Sequence, residues 1–138
     1  MTADNALDRG REAFAQHAWR EAYAQLSAAQ QHAPLDADAL ELLAMAAFLL
    51  GRDLESNDLL ARAHAAFLAD RDLRAAARCA FRLGMALLSR GDQAGASGWI
   101  ARARRLLDDD GVQDCVERGR GTLFDQLVVQ GSNTRMRK

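Results

Sequence analysis

Apolar and small residues recur along this chain in a fixed arrangement. Ala96, Ile100 and Ala103 fall at i, i+4 and i+7, one face of a helix. They follow Leu83, Gly84 and Leu87 of the preceding segment after a short Gly91-Asp92 turn. The same arrangement occurs upstream at Ala22, Leu26 and Ala29, and again at Ser56, Leu60 and Ala63. From Ala22 to Ser56 is 34 residues; from Ser56 to Ala96 is 40, the first interval with six residues inserted. Self-similarity at such a period predicts stacked helix pairs, each burying a face that it cannot bury alone.

The pattern predicts helices over about 4–16, 19–32, 36–50, 53–69, 72–90 and 92–107. Ala6, Gly10 and Ala13 make a small-residue stripe on the first, and Leu7, Arg11 and Phe14 the stripe beside it. Pro34 sits just beyond the second helix, which it cannot continue. The third segment is apolar on most sides, with Leu40, Leu42, Leu43, Met45, Phe48, Leu49 and Leu50, so it belongs between neighbours. Gly51 reads as its left-handed C-cap and Asp53 as the N-cap of the next helix, whose Leu59, Leu60, Ala63 and Phe67 point inward. The six extra residues fall at 70–75, where two helical extensions or a longer loop would equally absorb them. Gly95 and Gly98 each cost up to about 1 kcal/mol inside a helix, for which close backbone approach beside Trp99 is the expected compensation. After Gly111 the pattern decays. Residues 111–130 predict a seventh, capping helix with Phe124, Leu127 and Val128 on its apolar face, and residues 131–138 a disordered tail.

Composition sharpens this picture in one direction. Ala is the commonest residue, Pro occurs once in 138 residues, and β-branched residues are scarce, which favours helix throughout. The formal net charge is −1, so no global field argues for nucleic acid or membrane. Neither a basic start nor an apolar N-terminal segment is present, and the run from Leu42 to Leu50 is about half a bilayer span. A cytoplasmic protein with no membrane association is expected. Cys79 and Cys115 lie far apart without metal-type spacing and read as reduced, structural thiols.

Candidate chemistry is sparse. His17, His32 and His64 form no His-x-x-x-His pair and read as surface or partly buried helix residues. The glycines between Gly91 and Gly98 follow no strand and end in no Lys-Ser/Thr, so a phosphate loop is not expected. Asp108, Asp109 and Asp110 read as a solvated turn rather than a cation site. Arg102, Arg104 and Arg105 read as a solvated helix face rather than a phosphate-binding one. No nucleophile or acid–base pair stands at a working spacing. The chain is expected to be no enzyme and to hold no cofactor and no metal, and direct nucleic-acid binding is not expected.

Gly10/Ala22/Leu26/Ala29/Pro34, Leu43/Ala44/Ser56/Leu60/Ala63 and Leu83/Gly84/Ala96/Ile100/Ala103 together resemble three tetratricopeptide repeats, at about 4–34, 36–69 and 72–108 within residues 1–110. The resemblance implies an all-α fold: three antiparallel helix pairs in a right-handed superhelical solenoid. A narrower likeness sits in Gly10–Phe14, Leu50–Asp53, Arg78–Gly84 and Gly98–Asp108, which look like the helical-repeat segment of LuxR/MalT-type bacterial transcriptional regulators. In that family the segment senses or relays a signal and a helix-turn-helix binds DNA. Neither that module nor the NTPase module of many members is found in the 138 residues, so the likeness implies a stand-alone or truncated repeat segment.

In a tetratricopeptide stack the first helix of each pair lines the concave side. By register that side presents Leu7, Arg11 and Phe14, then Glu41, Met45 and Phe48, then Arg78, Phe81, Met85 and Leu88. These residues are the candidate partner-binding groove, with ordinary inter-helix core as the alternative reading for several of them. A Met- and Phe-lined groove suits a helical peptide. The Asn/Lys pattern with which family members clamp a peptide carboxylate is absent there, so no preference for a free C-terminus is expected. Two functions follow: a scaffold binding a protein or peptide partner, a second copy of itself among the candidates, or a sensor binding a small molecule.

Overall fold

The computed structural model describes residues 3–110, and among them are six helices and no strand. They are α1 (Ala3–Ala15), α2 (Trp19–His32), α3 (Ala37–Leu49), α4 (Asp53–Ala69), α5 (Leu73–Ser89) and α6 (Gln93–Asp110). The expected capping helix and tail lie outside the described residues.

Aspartates start three of the helices. The carboxylates of Asp36, Asp72 and Asp92 accept from the backbone N–H groups of Ala39 (2.9 Å), Ala75 (3.2 Å) and Gly95 (2.9 Å). Asp53, expected as a cap, is instead the first residue of α4, where its charge meets the positive end of the helix dipole. Four of the five connections are three residues long and share one hydrogen-bond scheme. At the end of α3, Gly51 N–H donates to the Phe48 carbonyl (2.9 Å) and Arg52 N–H to the Ala47 carbonyl (2.8 Å). His17-Ala18, Arg71-Asp72 and Gly91-Asp92 repeat the scheme. It needs a left-handed residue, met by Gly51 and Gly91 at φ 81° and 87°, and by His17 and Arg71 at 63° and 64°. The exception is the α2–α3 connection, where Ala33 is extended and Pro34 follows.

The three hairpins α1–α2, α3–α4 and α5–α6 each close on one small–large pair. A Cβ on Gly10 would come within 2.6 Å of Leu26 Cγ, and one on Gly84 within 2.7 Å of Ile100 Cγ1 and 3.2 Å of the Ala96 carbonyl oxygen. Ala44 holds the equivalent place in the middle hairpin, where the buried Ser56 hydroxyl donates to its carbonyl at 2.8 Å. All nine residues of the repeated face, Ala22/Leu26/Ala29, Ser56/Leu60/Ala63 and Ala96/Ile100/Ala103, are buried. The main core runs from Leu26 through Leu40, Leu43 and Ala47 of α3 to Leu59, Phe67, Cys79 and Leu83. Smaller clusters around Ala13, Ala22 and Ala46, and around Ala77, Ile100 and Ala103, flank it. As its composition implies, α3 is buried along most of its length, but its last residues Phe48 and Leu49 stand exposed.

The six inserted residues lengthen helices rather than a loop. With 17 residues, α4 exceeds α2 by three and α5 exceeds α3 by four, while the α4–α5 connection is one residue shorter than α2–α3. The expectation for Gly95 and Gly98 is overturned. Beside Gly95 the nearest group is the capping carboxylate of Asp92, and Gly98 is exposed with nothing within 4 Å of its missing Cβ. Gly98→Ala is therefore expected to stabilise the fold by up to about 1 kcal/mol through helix propensity. Gly84→Ala is expected to destabilise it by about 1–3 kcal/mol through overpacking against Ile100; urea unfolding of both variants checks the opposite signs.

Candidate functional site

Shifting along the chain by 34 and then 40 residues superposes the candidate groove residues in rows. Phe14, Phe48 and Leu88 form one row, Arg11, Met45 and Met85 the next, and Leu7, Glu41 and Phe81 the third. In the first hairpin all three residues are half-buried. Leu7 packs on the main core, Arg11 lies 3.6 Å from Asp36, and the Phe14 ring meets Trp19 edge-on at 5.1 Å. In the other two hairpins Phe48 and Leu88 stand exposed, Met45, Phe81 and Met85 are half-buried, and Glu41 is buried.

The backbones of α1 and α3 approach at a few positions, whereas α3 and α5 meet through side chains, sharing the main core and a set of ion pairs. The space between them is a hollow of about 290 Å³. Met45 and Phe48 of α3 face Phe81, Arg82 and Met85 of α5 across it, with Asn57 and Leu60 of α4 beneath. Phe48 is 53% exposed and Leu88, one residue before Ser89 of the lining, 44%. Four of the ten expected residues thus line one cavity; Leu88 is exposed and is not part of its lining.

Glu41 and Arg78 are placed differently: they bind each other. Arg78 donates from Nε and Nη2 to the two carboxylate oxygens of Glu41 at 2.8 and 2.9 Å, and Arg82 adds Nη1 to Oε2 at 3.0 Å. Glu41 is buried, and this forked bridge joins α3 to α5. Arg82 was not among the residues expected. It lies four positions after Arg78 and so on the same helix face, which was the signal available in the sequence. A second polar bridge joins α2 to α4, where Tyr23 donates its hydroxyl to Glu55 at 2.7 Å and Arg52 lies over the Tyr23 ring. Burial, and then Glu55, raise the Tyr23 pKa.

The expected thiol reading fits the interior. Cys79 is free and buried, and burial, followed by the Glu41 charge, pushes its pKa up to about 12, which removes it as a nucleophile. His64, expected as a surface or partly buried helix residue, is 3% exposed. Its Nδ1 donates to the Ala76 carbonyl at 2.8 Å and its ring meets Trp99 edge-on at 5.2 Å, while Nε2 has no partner. Burial lowers its pKa; the bond to Ala76 opposes this and Arg102 reinforces it. Among the described residues no group of three His, Cys, Asp or Glu could hold a metal ion.

These features define an all-α helical-repeat protein with an open apolar hollow between its second and third hairpins. Among solved structures the chain is similar to the N-terminal domain of stress-induced protein-1 (STI-1) from C. elegans, a tetratricopeptide-containing domain. The likeness has a TM-score of 0.67 at 18% identity and covers 89% of this chain and 94% of that one. At that identity it shows the helical-repeat fold. No family model matches the chain. Comparison with curated proteins found no match. The LuxR/MalT likeness gains no support from these comparisons. No helix among the described residues is long and apolar enough to cross a membrane.

Removing the buried carboxylate charge leaves two facing guanidiniums, so Glu41→Gln is expected to cost about 2 kcal/mol in denaturant unfolding. His64 gives a pH dependence. With its folded pKa below the ordinary 6.5, its contribution is complete above pH 6.5. It declines as pH falls below that value, because the unfolded chain takes the proton first. His64→Asn keeps a donor for Ala76 without titrating, and unfolding curves between pH 7 and 5 are expected to lose this slope.

Proposed function

We propose that this chain is a non-catalytic scaffold, its first-of-pair helices α1, α3 and α5 forming a concave face that receives a segment of a partner protein. The observation that carries this reading is the set of apolar side chains Met45, Phe48, Phe81 and Met85 around a hollow of about 290 Å³. Large apolar side chains held apart in register lose hydration when a partner covers them, at roughly 25 cal/mol per Å². The helical-repeat fold supports the same reading, since such stacks present extended concave surfaces. Placement in the cytoplasm fits a scaffold of this kind.

The regulator likeness adds a finer version, a stand-alone or truncated piece of a LuxR/MalT-type transcriptional regulator; it rests on the sequence phrases alone. The hollow itself favours a second reading, a small-molecule sensor, because its size is near the lower end for ligand pockets, about 300 Å³. Affinity capture separates the two. A partner held by the native chain is expected to be lost at least tenfold by Phe48→Asp with Met85→Glu. It is expected to be kept by Arg62→Glu on the exposed surface of α4. Capture that survives the groove variant, or a metabolite that alone raises the melting temperature, overturns the scaffold reading.

A further inference from the structure

The second hairpin hands over to the next helix through a turn whose sequence counterpart recurs after the third. α4 closes at Asp70, and Arg71-Asp72, with Arg71 left-handed at φ 64°, leads into α5. Forty residues on, the interval that separates Ser56 from Ala96, α6 reaches Asp110 and the chain continues Gly111-Val112. Glycine thus stands at the one position where the turn requires a left-handed backbone. The face that α5 buries against the second hairpin is Ala75, Ala76, Cys79 and Leu83, with Leu87 half-buried beside them. The same shift gives Cys115, Val116, Gly119, Leu123 and Leu127, every one apolar or small. Asp114, Glu117, Arg118 and Thr122 between them are polar, so the stretch is amphipathic with a helical period. The side that α5 turns to α6 is not repeated. Ala77, Ala80 and Gly84 there become Glu117, Arg120 and Phe124, which admit no second helix at close range.

The third hairpin offers the matching surface. α4 packs on both α3 and α5, whereas among the described residues α6 packs chiefly on α5. Phe67 of α4 meets α5, with the Arg78 guanidinium 5.9 Å from its ring centre, and is 3% exposed. Its counterpart in α6, Leu107, is half-buried beside the cluster of Ala77, Ile100 and Ala103. We propose that residues 113–130 form a helix that docks on the third hairpin in the place that α5 takes on the second, with Cys115, Val116, Leu123 and Leu127 turned inward. The span matches α5, which has 17 residues and follows a turn of the same length. Tethered directly to α6, the segment has an effective concentration that a separate partner or a second copy does not reach. A helix so placed lies on the far side of α5 from α3, and the hollow between α3 and α5 stays clear.

The two native thiols report on this docking. Cys115 takes the place of Ala75, which is 3% exposed, and Cys79 lies in the main core. Iodoacetamide labelling of the full chain, read by mass spectrometry, is expected to leave both thiols unmodified until denaturant is added. Leu107→Asp is expected to raise the Cys115 rate at least about tenfold while Cys79 stays protected. Leu127→Asp, which lies outside the six helices, is expected to do the same and decides the matter if the Leu107 variant fails to fold. Labelling of Cys115 in the native chain at the rate of an exposed thiol overturns the inference. Protection that survives Leu127→Asp overturns it as well. Release of Cys115 by Phe48→Asp with Met85→Glu assigns the segment to the hollow, and protection that rises with protein concentration assigns the cover to a second copy; either overturns the inference. The scaffold reading is judged separately, by capture of a partner.

Discussion

A three-residue connection gives two helices no room to diverge, so each hairpin here depends on how closely its backbones can approach. The limiting contact is the small residue of the first helix against the large aliphatic one of the second: Gly10 on Leu26, Gly84 on Ile100. A Cβ at either glycine would push the axes apart while the turn holds their ends together. The turn is equally constrained, because its two hydrogen bonds close only around a left-handed residue. Close approach and tight turn therefore support each other. That mutual dependence is why the small–large pair and the turn recur together and set the repeat. Everything on the face of the stack inherits its register from this contact.

Between the second and third hairpins the same three-residue turn recurs at Arg71-Asp72, and the insertion acts in the helices on either side of it. Lengthening α4 and α5 keeps the third hairpin's internal geometry, since its own small–large pair is intact, but it changes what faces α3. In the first step of the stack α1 touches α3 at a few positions; in the second, a shared apolar core and a bridge of three charged side chains join α3 to α5. Such a bridge contributes modest net stability because desolvation of the charges offsets much of their attraction. What it does is tie α3 to α5 beside the hollow, since Arg82 belongs to both.

This division explains what could be read in the sequence. The bounds of α2 and α4 coincide with those that periodicity implies, and those of the other helices lie within three residues. Helical spacing and turn glycines are local signals, and each was visible; the one aspartate read as a cap, Asp53, begins α4 instead, while Asp36, Asp72 and Asp92 do the capping. The rows of the groove were visible too, because they follow from register. Partnership was not. Glu41 and Arg78 read as exposed groove charges, and only the stack, which sets α3 beside α5, shows that they neutralise each other. His64 was misplaced for the same reason: its partner, the Ala76 carbonyl, belongs to another helix. Gly98 failed differently. A glycine in a helix suggests a close neighbour, yet this one faces open space, and nothing in the structure accounts for it.

Arg82 shows how a polar group changes the character of an apolar face. Hydrophobic burial is non-directional, so rows of Met, Phe and Leu would accept many segments in many registers. A fixed charge at one edge discriminates mainly through penalties: a basic segment is repelled, and a purely apolar one covers a guanidinium without replacing its water. Arg82 stands at such an edge already bound to Glu41, so the bridge that ties α3 to α5 also places a paired charge beside the hollow.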